Sequence, residues 1–340
     1  MDLKLFTDML NIDSTSSKEV EFADFLEKRL NTGRCTIERF NVGDGTVNLL
    51  FRWGEPDIVF CTHMDTVPPY ISPLMEKTSE GDTIISGRGS CDAKGQIFAM
   101  YNACLQLEKE GEEGFALLLL SGEETGSFGA KSFRETHPGG KYVIVGEPTE
   151  NKMVSASKGT KSFEVTVKGK SCHSGYPQFG KSAVEGFVDF FNKLQSANFK
   201  EDRILGKTTW NIGKLSSDNP QNILSDRLNF RIYFRTTFAS DSDVCTYMEK
   251  AVNANTEIKA LGGDSPSSYL TLDGFETTTA AFGSDAPQLW NFKEKILCGP
   301  GSILVAHTSS EHIRLSEITA ATENYVRMFH VLAKKGKKKI

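Results

Sequence analysis

The sequence predicts an α/β fold: a mostly parallel sheet with helices on both faces, carrying an inserted, smaller α+β domain of ferredoxin-like type. Three observations predict it. Short apolar runs in DIVFCTHMDTV (Asp57–Val67), FALLLL (Phe115–Leu120) and YVIV (Tyr142–Val145) each end in polar residues, as buried parallel strands do. Helical stripes alternate with these runs, which is the pattern of a sheet covered on both faces. After about Ala156 the period changes to strict alternation in KSFEVTVKG and LNFRIYF, the mark of half-exposed strands.

The elements follow along the chain. Ser16 and Glu19 have capping-box spacing ahead of a helix to Leu30, with Val20, Ala23, Leu26 and Leu30 on its apolar face. Ile97, Met100, Cys104 and Leu107 make a second helical stripe between the first two buried strands. In the inserted region, Phe163, Val165 and Val167 line one face of a strand. Val184, Phe187, Val188, Phe191 and Leu194 mark a helix, and TWNIGKLS a second strand. Leu228, Phe230, Ile232 and Phe234 alternate along a third, SDSDVCTYMEKAV reads as a capped helix, and EIKAL as a fourth strand. This β-α-β-β-α-β order is the ferredoxin-like split motif. GGDSPSS (Gly262–Ser268) reads as the linker leaving it. The expected division is a discontinuous catalytic domain, 1–157 and 267–340, around an inserted lid, 158–266. A last helix carries Ile318, Ala321, Tyr325, Met328 and Leu332.

At 340 residues, 39% hydrophobic and 24% charged, the chain has material for about two globular domains. Five lysines among the last seven residues read as a solvated extension beyond the last helix; setting them aside takes the net charge from −5 to −10. So acidic a body lacks the cationic surplus that phosphate contacts need, so nucleic acid is not an expected partner. No apolar run approaches the roughly 20 residues of a membrane span. Seven scattered cysteines without a CxxC pair, behind an N-terminus lacking a signal-like apolar segment, point to a reduced, cytoplasmic protein.

The residues with chemical potential lie where the apolar runs end, the usual position of a site in an open α/β sheet. His63 and Asp65, two apart at a strand tip, point the same way; Asp65 can orient the imidazole of a metal-bound His63, or the pair can be a core histidine beside a capping acid. In GRGSCDAKG, Asp92 stands where a phosphate-binding glycine loop would have its third glycine. It suits a cation, or a helix cap. Glu123 and Glu124 follow a wholly apolar strand, where two carboxylates need compensation unless they form an exposed turn. Glu147 repeats the arrangement after YVIV. His307 precedes Thr308 and Glu311, a second capping-box spacing that places it in a loop entering a helix; His312, within that helix, is less suited as a ligand. Two histidines and three carboxylates would suit a two-cation site, and mixed nitrogen and oxygen ligation favours Zn, Co or Mn.

THMDTV, GRGSCDAKG, SGEETGSFGA, VGEPTE, GKSCHSGYPQFGKSA, GSDA and CGPGS…AHTSSE, in this order, resemble the co-catalytic zinc aminoacylases and exopeptidases: acetylornithine deacetylase, succinyl-diaminopimelate desuccinylase, carboxypeptidase G-type enzymes and peptidase T. The resemblance runs over nearly the whole chain. It implies two divalent ions, zinc foremost, bridged by Asp92, one held by His63 and Glu147 and the other by Glu124 and His307. Glu123 would be the general base and Asp65 a catalytic partner of His63. In the lid it implies that His173 donates to the substrate carbonyl, in cis or, as often in dimeric members, from the partner subunit, and that Asn222 and Arg235 bind the substrate carboxylate or help shape its pocket; a homodimer through the lid is the expected assembly.

The expected function is therefore metal-dependent amide hydrolysis. The preferred expectation is removal of an acetyl or succinyl group from an N-acyl amino acid. A di- or tripeptidase or carboxypeptidase with the same metal centre is the alternative, and a non-catalytic binding relative is the reading from another class.

Overall fold

The computed structural model describes residues 1–43 and 45–337. In chain order the elements are α1 (Leu3–Leu10), α2 (Glu19–Arg29), β1 (Thr36–Gly43), β2 (Thr46–Trp53), β3 (Ile58–His63), β4 (Leu74–Lys77), β5 (Thr83–Ser86), α3 (Lys94–Glu110), β6 (Phe115–Leu120), α4 (Phe128–Thr136), β7 (Gly140–Val145) and β8 (Met153–Ser157). They continue as β9 (Gly159–Lys168), α5 (Ala183–Gln195), β10 (Thr209–Ser216), β11 (Arg227–Thr236), α6 (Asp241–Ala251), β12 (Thr256–Gly262), β13 (Ser267–Ser268), β14 (Thr277–Ala280), β15 (Phe292–Leu297), β16 (His312–Arg314) and α7 (Leu315–Lys337). The chain forms two compact units. The first is Met1–Ser155, Tyr269–Thr278 and Ser284–Ile340; the second is Ala156–Ser268 with Thr279–Gly283.

In the first unit a six-stranded sheet runs β1-β2-β6-β3-β7-β15. Strands β6, β3, β7 and β15 pair in parallel, and β2 and β1 add an antiparallel edge. The central strands β6, β3 and β7 are dominated by buried apolar residues because both faces are covered, whereas β15, at the sheet edge, keeps Lys293 and Glu294 exposed. Leu49, Phe51, Ile58, Phe60, Leu117, Leu119 and Ile144 share one core with side chains of α1, α2, α3 and α7. On the other face, Phe133 of α4 meets Phe40 and Phe292. The stripes of α3 and α7 are buried as the spacing predicts. Strands β3, β6 and β7 end together, so the polar residues that follow them are delivered to one edge.

The second unit is a four-stranded antiparallel sheet, β10-β11-β9-β12, with α5 and α6 packed on it. Phe163, Val165, Val167, Leu228, Phe230, Ile232 and Phe234 form its core with Phe190, Leu194, Val244 and Met248.

Four local expectations fail. Helix α2 begins at Glu19 after Lys18 without a side-chain cap, because the Ser16 hydroxyl donates instead to Asp65; Phe22 replaces Val20 on the buried face. Helix α5 buries Ala183, Phe190 and Leu194 and leaves Val184 and Val188 exposed. No helix starts at Thr308: His312 lies in β16 and α7 opens at Leu315. Helix α7 extends through the first lysines of the tail to Lys337; Lys338, Lys339 and Ile340 lie outside the described residues. Among the described residues, no helix is long and apolar enough to cross a membrane.

Candidate metal centre

His63 is the last residue of β3 and is buried. Its Nδ1 lies 3.0 Å from the backbone carbonyl of Asp65, and its Nε2 3.0 Å from Asp92 Oδ1. With Nδ1 donating to that carbonyl, Nε2 is the nitrogen placed to ligate a cation, and it donates to Asp92 when none is bound. The Asp65 main chain makes the nearer orienting contact, with Asp65 Oδ1 3.4 Å from the same nitrogen. Its carboxylate also accepts from Glu123 N at 3.0 Å, Glu124 N at 3.1 Å and Ser16 Oγ at 3.0 Å, anchoring the turn that carries both glutamates.

Asp92 precedes α3, whose N-cap is Ala93, so its side chain does not cap the helix. It faces both histidines: Oδ1 meets His63, and Oδ2 lies 3.3 Å from His307 Nε2. His307 Nε2 is also 2.9 Å from Glu124 Oε1. His307 has φ of 63°, a left-handed conformation rare for a residue with a side chain and concentrated at functional sites. Ligand atoms of His63, Asp92 and Glu124 lie within 4.8 Å of one another. Glu147, buried two residues beyond β7, falls outside that trio, and its Oε1 has no hydrogen-bond partner.

Two residues escaped the sequence reading. Asp285, in GSDA, is buried with both carboxylate oxygens unpartnered. Glu311 holds the glycine loop, its Oε1 accepting from Gly89 N, Cys91 N and Asp92 N. That loop therefore does present N–H groups to an anion, as a phosphate cradle would, but the anion is the chain's own glutamate.

The electrostatics follow from burial. Desolvation raises Glu123 and Glu147 well above the usual carboxylate range and Asp285 to about 7, each with further contributions from neighbouring acids. Burial also opposes ionisation of Asp92, but hydrogen bonds from His307 and His63 outweigh it and hold its carboxyl low. The bonds to Asp92 and Glu124 push His307 up to about 10. Burial disfavours a charged His63, yet its contacts with Asp65 and Asp92 raise it. Six carboxyl groups (Asp65, Asp92, Glu123, Glu124, Glu147 and Asp285) thus gather near two imidazoles, the buried His63 and the half-exposed His307. Such an excess of negative charge is relieved by bound cations, and the unpartnered oxygens are free to ligate them. The residues fit a pair of divalent ions.

The second unit carries the other expected residues. His173 and Asn222 are neighbours: His173 bridges Ile223, and Ser174 N donates to Asn222 O at 2.9 Å. His173 Nδ1 accepts from Gly175 N at 3.0 Å, which leaves the ring proton on Nε2. Arg235 lies near the opposite end of β11, its guanidinium over the Tyr233 ring, and has no acidic partner among the described residues.

The sequence signature of Peptidase family M20/M25/M40 matches residues 59–330. The chain belongs to this family. The M20 protein is 34% identical to a peptidase M20 domain-containing protein of Schizosaccharomyces pombe, over 96% of this chain and 83% of that one. It is 30% identical to a protein of Aspergillus oryzae named "probable carboxypeptidase", over 94% and 87%. Among solved structures, it shares its fold with a tripeptidase of Staphylococcus aureus (TM-score 0.80, 17% identity, 98% of both chains). The same holds for an M20 family metallo-carboxypeptidase of Sulfolobus solfataricus (TM-score 0.70, 17% identity, 96% of this chain and 98% of that one). The M20 protein is accordingly a metallohydrolase of amide bonds, of a family whose enzymes use a dinuclear divalent metal site.

Proposed function

We propose that this M20 protein is a metal-dependent exopeptidase of short peptides, of carboxypeptidase type. The similarity to fungal relatives named as carboxypeptidases, extending over 94% or more of the chain, carries this reading. It reverses the expectation from sequence, which put N-acyl amino acid deacylation first. Arg235, a half-buried cation without an acidic partner, supports it from within the chain, because a C-terminal carboxylate is the counter-charge such a group binds.

His63, Asp92 and Glu147 would hold one divalent ion, and Asp92, Glu124 and His307 the other, zinc being foremost with cobalt or manganese also suited to these donors. When bound, the ions supply Lewis acidity and lower the pKa of water. The chain's own residues do the rest. The Glu123 carboxylate, whose burial raises its affinity for a proton, takes one from the attacking water as the water oxygen bonds to the carbonyl carbon. Glu123 then gives that proton to the amine nitrogen as the C–N bond breaks. Asp65 keeps Glu123 in place through the backbone bond described above. The His173 Nε2–H donates to the carbonyl oxygen as negative charge develops there.

The second unit acts as a lid and as the interface of a homodimer. Arg227 and Arg235 stand eight residues apart on β11, a separation of roughly 26 Å at strand rise, and Asn222 lies beyond the Arg227 end. One short peptide cannot meet both His173 and Arg235 of a single chain, so His173 and Asn222 act on the substrate held by the partner's Arg235. The seven cysteines, all unpaired, suit a reducing cytoplasm.

The metal-loaded protein is assayed with di- and tripeptides, their C-terminal amides, and N-acetyl and N-succinyl amino acids. Hydrolysis of the free-acid peptides that amidation suppresses is expected. Turnover confined to N-acyl amino acids would reinstate deacylation. Mixing H173A and R235A chains, each inactive alone, restores about a quarter of wild-type activity if the site is shared between subunits; no recovery refutes the sharing.

A further inference from the structure

Glu311 stands four residues after His307 and, by sequence, has only the spacing of a helix cap. The fold uses it otherwise. Its side chain is buried, with one carboxylate oxygen inside the 87–92 loop and the other against Arg88. Oε1 accepts three backbone bonds, from Gly89 N at 2.9 Å, Cys91 N at 3.1 Å and Asp92 N at 3.1 Å. Its own carbonyl accepts from Gly87 N at 3.0 Å. Arg88 is buried as well, and its Nε donates to the Pro69 carbonyl at 3.2 Å.

Successive N–H groups turned toward one point form a concave anion site, and a carboxylate with three such donors is strongly fixed. Here the third donor is the amide of Asp92, one bond from the Cα that carries the side chain meeting both His63 and His307. A tilt of that peptide would move both Asp92 oxygens. The segment that provides Glu311 also provides His307, so one short stretch sets the distance between two of the groups that flank Asp92.

We propose that Glu311 is a positioning residue of the metal centre, a buried carboxylate that clamps the 89–92 backbone so that Asp92 can serve both cations at once. This rests on the reading of Asp92 as a shared ligand and is independent of which amide is cleaved.

The test is titration of the metal-free protein with Co²⁺ alone, following its visible absorption, beside a thermal melt of each metal-free variant. E311Q replaces the charge while keeping the shape. E311D keeps the charge for Arg88 but withdraws the oxygen from its three donors, and it carries the test if E311Q does not fold. R88K preserves the three donors and a cation. Loss of a partner that orients a ligand typically costs about 10–100-fold in metal affinity, and that loss, with an altered Co²⁺ spectrum, is expected for E311Q and E311D. R88K is expected to melt earlier yet bind Co²⁺ within about threefold of wild type. Wild-type affinity and spectrum in both Glu311 variants would overturn the clamp. So would an equal affinity loss in R88K that tracks its melting temperature, since the role would then be structural. A wild-type chain that binds no Co²⁺ would overturn the metal centre itself, and the clamp with it.

Discussion

Replacing Asn48 with alanine opens the neck of the loop that carries Glu123 and Glu124. Asn48 is fully buried on β2; its Nδ2 donates to Gly129 O at 2.9 Å, and its Oδ1 accepts from Ser121 N at 3.0 Å. Gly129 N in turn donates to Ser121 O at 2.8 Å, so the two ends of the loop are tied to each other and to the sheet. The fit is close enough that a Cβ on Gly129 would lie 2.5 Å from Asn48 Oδ1. Alanine leaves the buried Ser121 N–H without a partner and removes the side-chain bond to Gly129 O, whose carbonyl stays within helix α4. At about 1–3 kcal/mol for the unsatisfied group and about 1 kcal/mol for the lost bond, the loss is about 2–4 kcal/mol. For a unit of this size that lowers the melting temperature by on the order of 10 °C. Because the untied loop carries Glu123, the proposed general base, kcat is expected to fall as well. Calorimetry of the metal-free protein and initial rates on one peptide measure both. A melting shift under about 2 °C with unchanged kcat would refute the reasoning.

Three further outcomes are expected. Glu123→Gln retains metal, measured by elemental analysis, and loses about 10²–10⁴-fold in kcat; wild-type turnover would remove Glu123 from its role. Chelation abolishes hydrolysis and lowers the melting temperature, since ions that bind only the folded chain stabilise it, and re-addition of Zn²⁺ or Co²⁺ restores both. His137 is stacked on Phe133, and burial lowers its pKa. The folded state therefore favours the neutral ring, so its contribution to stability is complete above the unfolded value near 6.5 and is lost as pH falls through the lower folded pKa. His137→Phe should flatten the melting temperature between pH 7 and 5; an unchanged slope would rule out this origin.

Much of the fold was legible because burial writes itself into composition. Strands β3, β6 and β7 are covered on both faces and read as unbroken apolar runs, while β9 and β11 are covered on one face and alternate. The exposed β1 and the short β4 and β16 carry no such signal. Where local and distant partners compete for one side chain, spacing misleads. Ser16 has the position of a helix cap but donates to a residue 49 positions away, and Glu311 reaches amides some 220 residues upstream. His63, Asp92, Glu124 and His307 stand at strand ends or in loops, where a charged residue beside an apolar run is conspicuous, and the fold brings them together. Asp285 follows no such run, and its burial beside the other acids is visible only in three dimensions.

The place of β15 in the sheet bears on how the chain is made. It pairs with β7 from Phe292↔Gly140 to Leu297↔Val145, yet the whole second unit is encoded between them. A ribosome adding 5–20 residues per second needs on the order of 10 s to supply those intervening residues of about 150. Throughout that interval β7 is the open rim of a nascent sheet, with unsatisfied amides and carbonyls beside Tyr142, Val143, Ile144 and Val145, which is the kind of edge that recruits stray strands. Completion of the catalytic sheet is thus timed by synthesis of the inserted unit, and the nascent chain's most exposed moment falls just before β15 emerges.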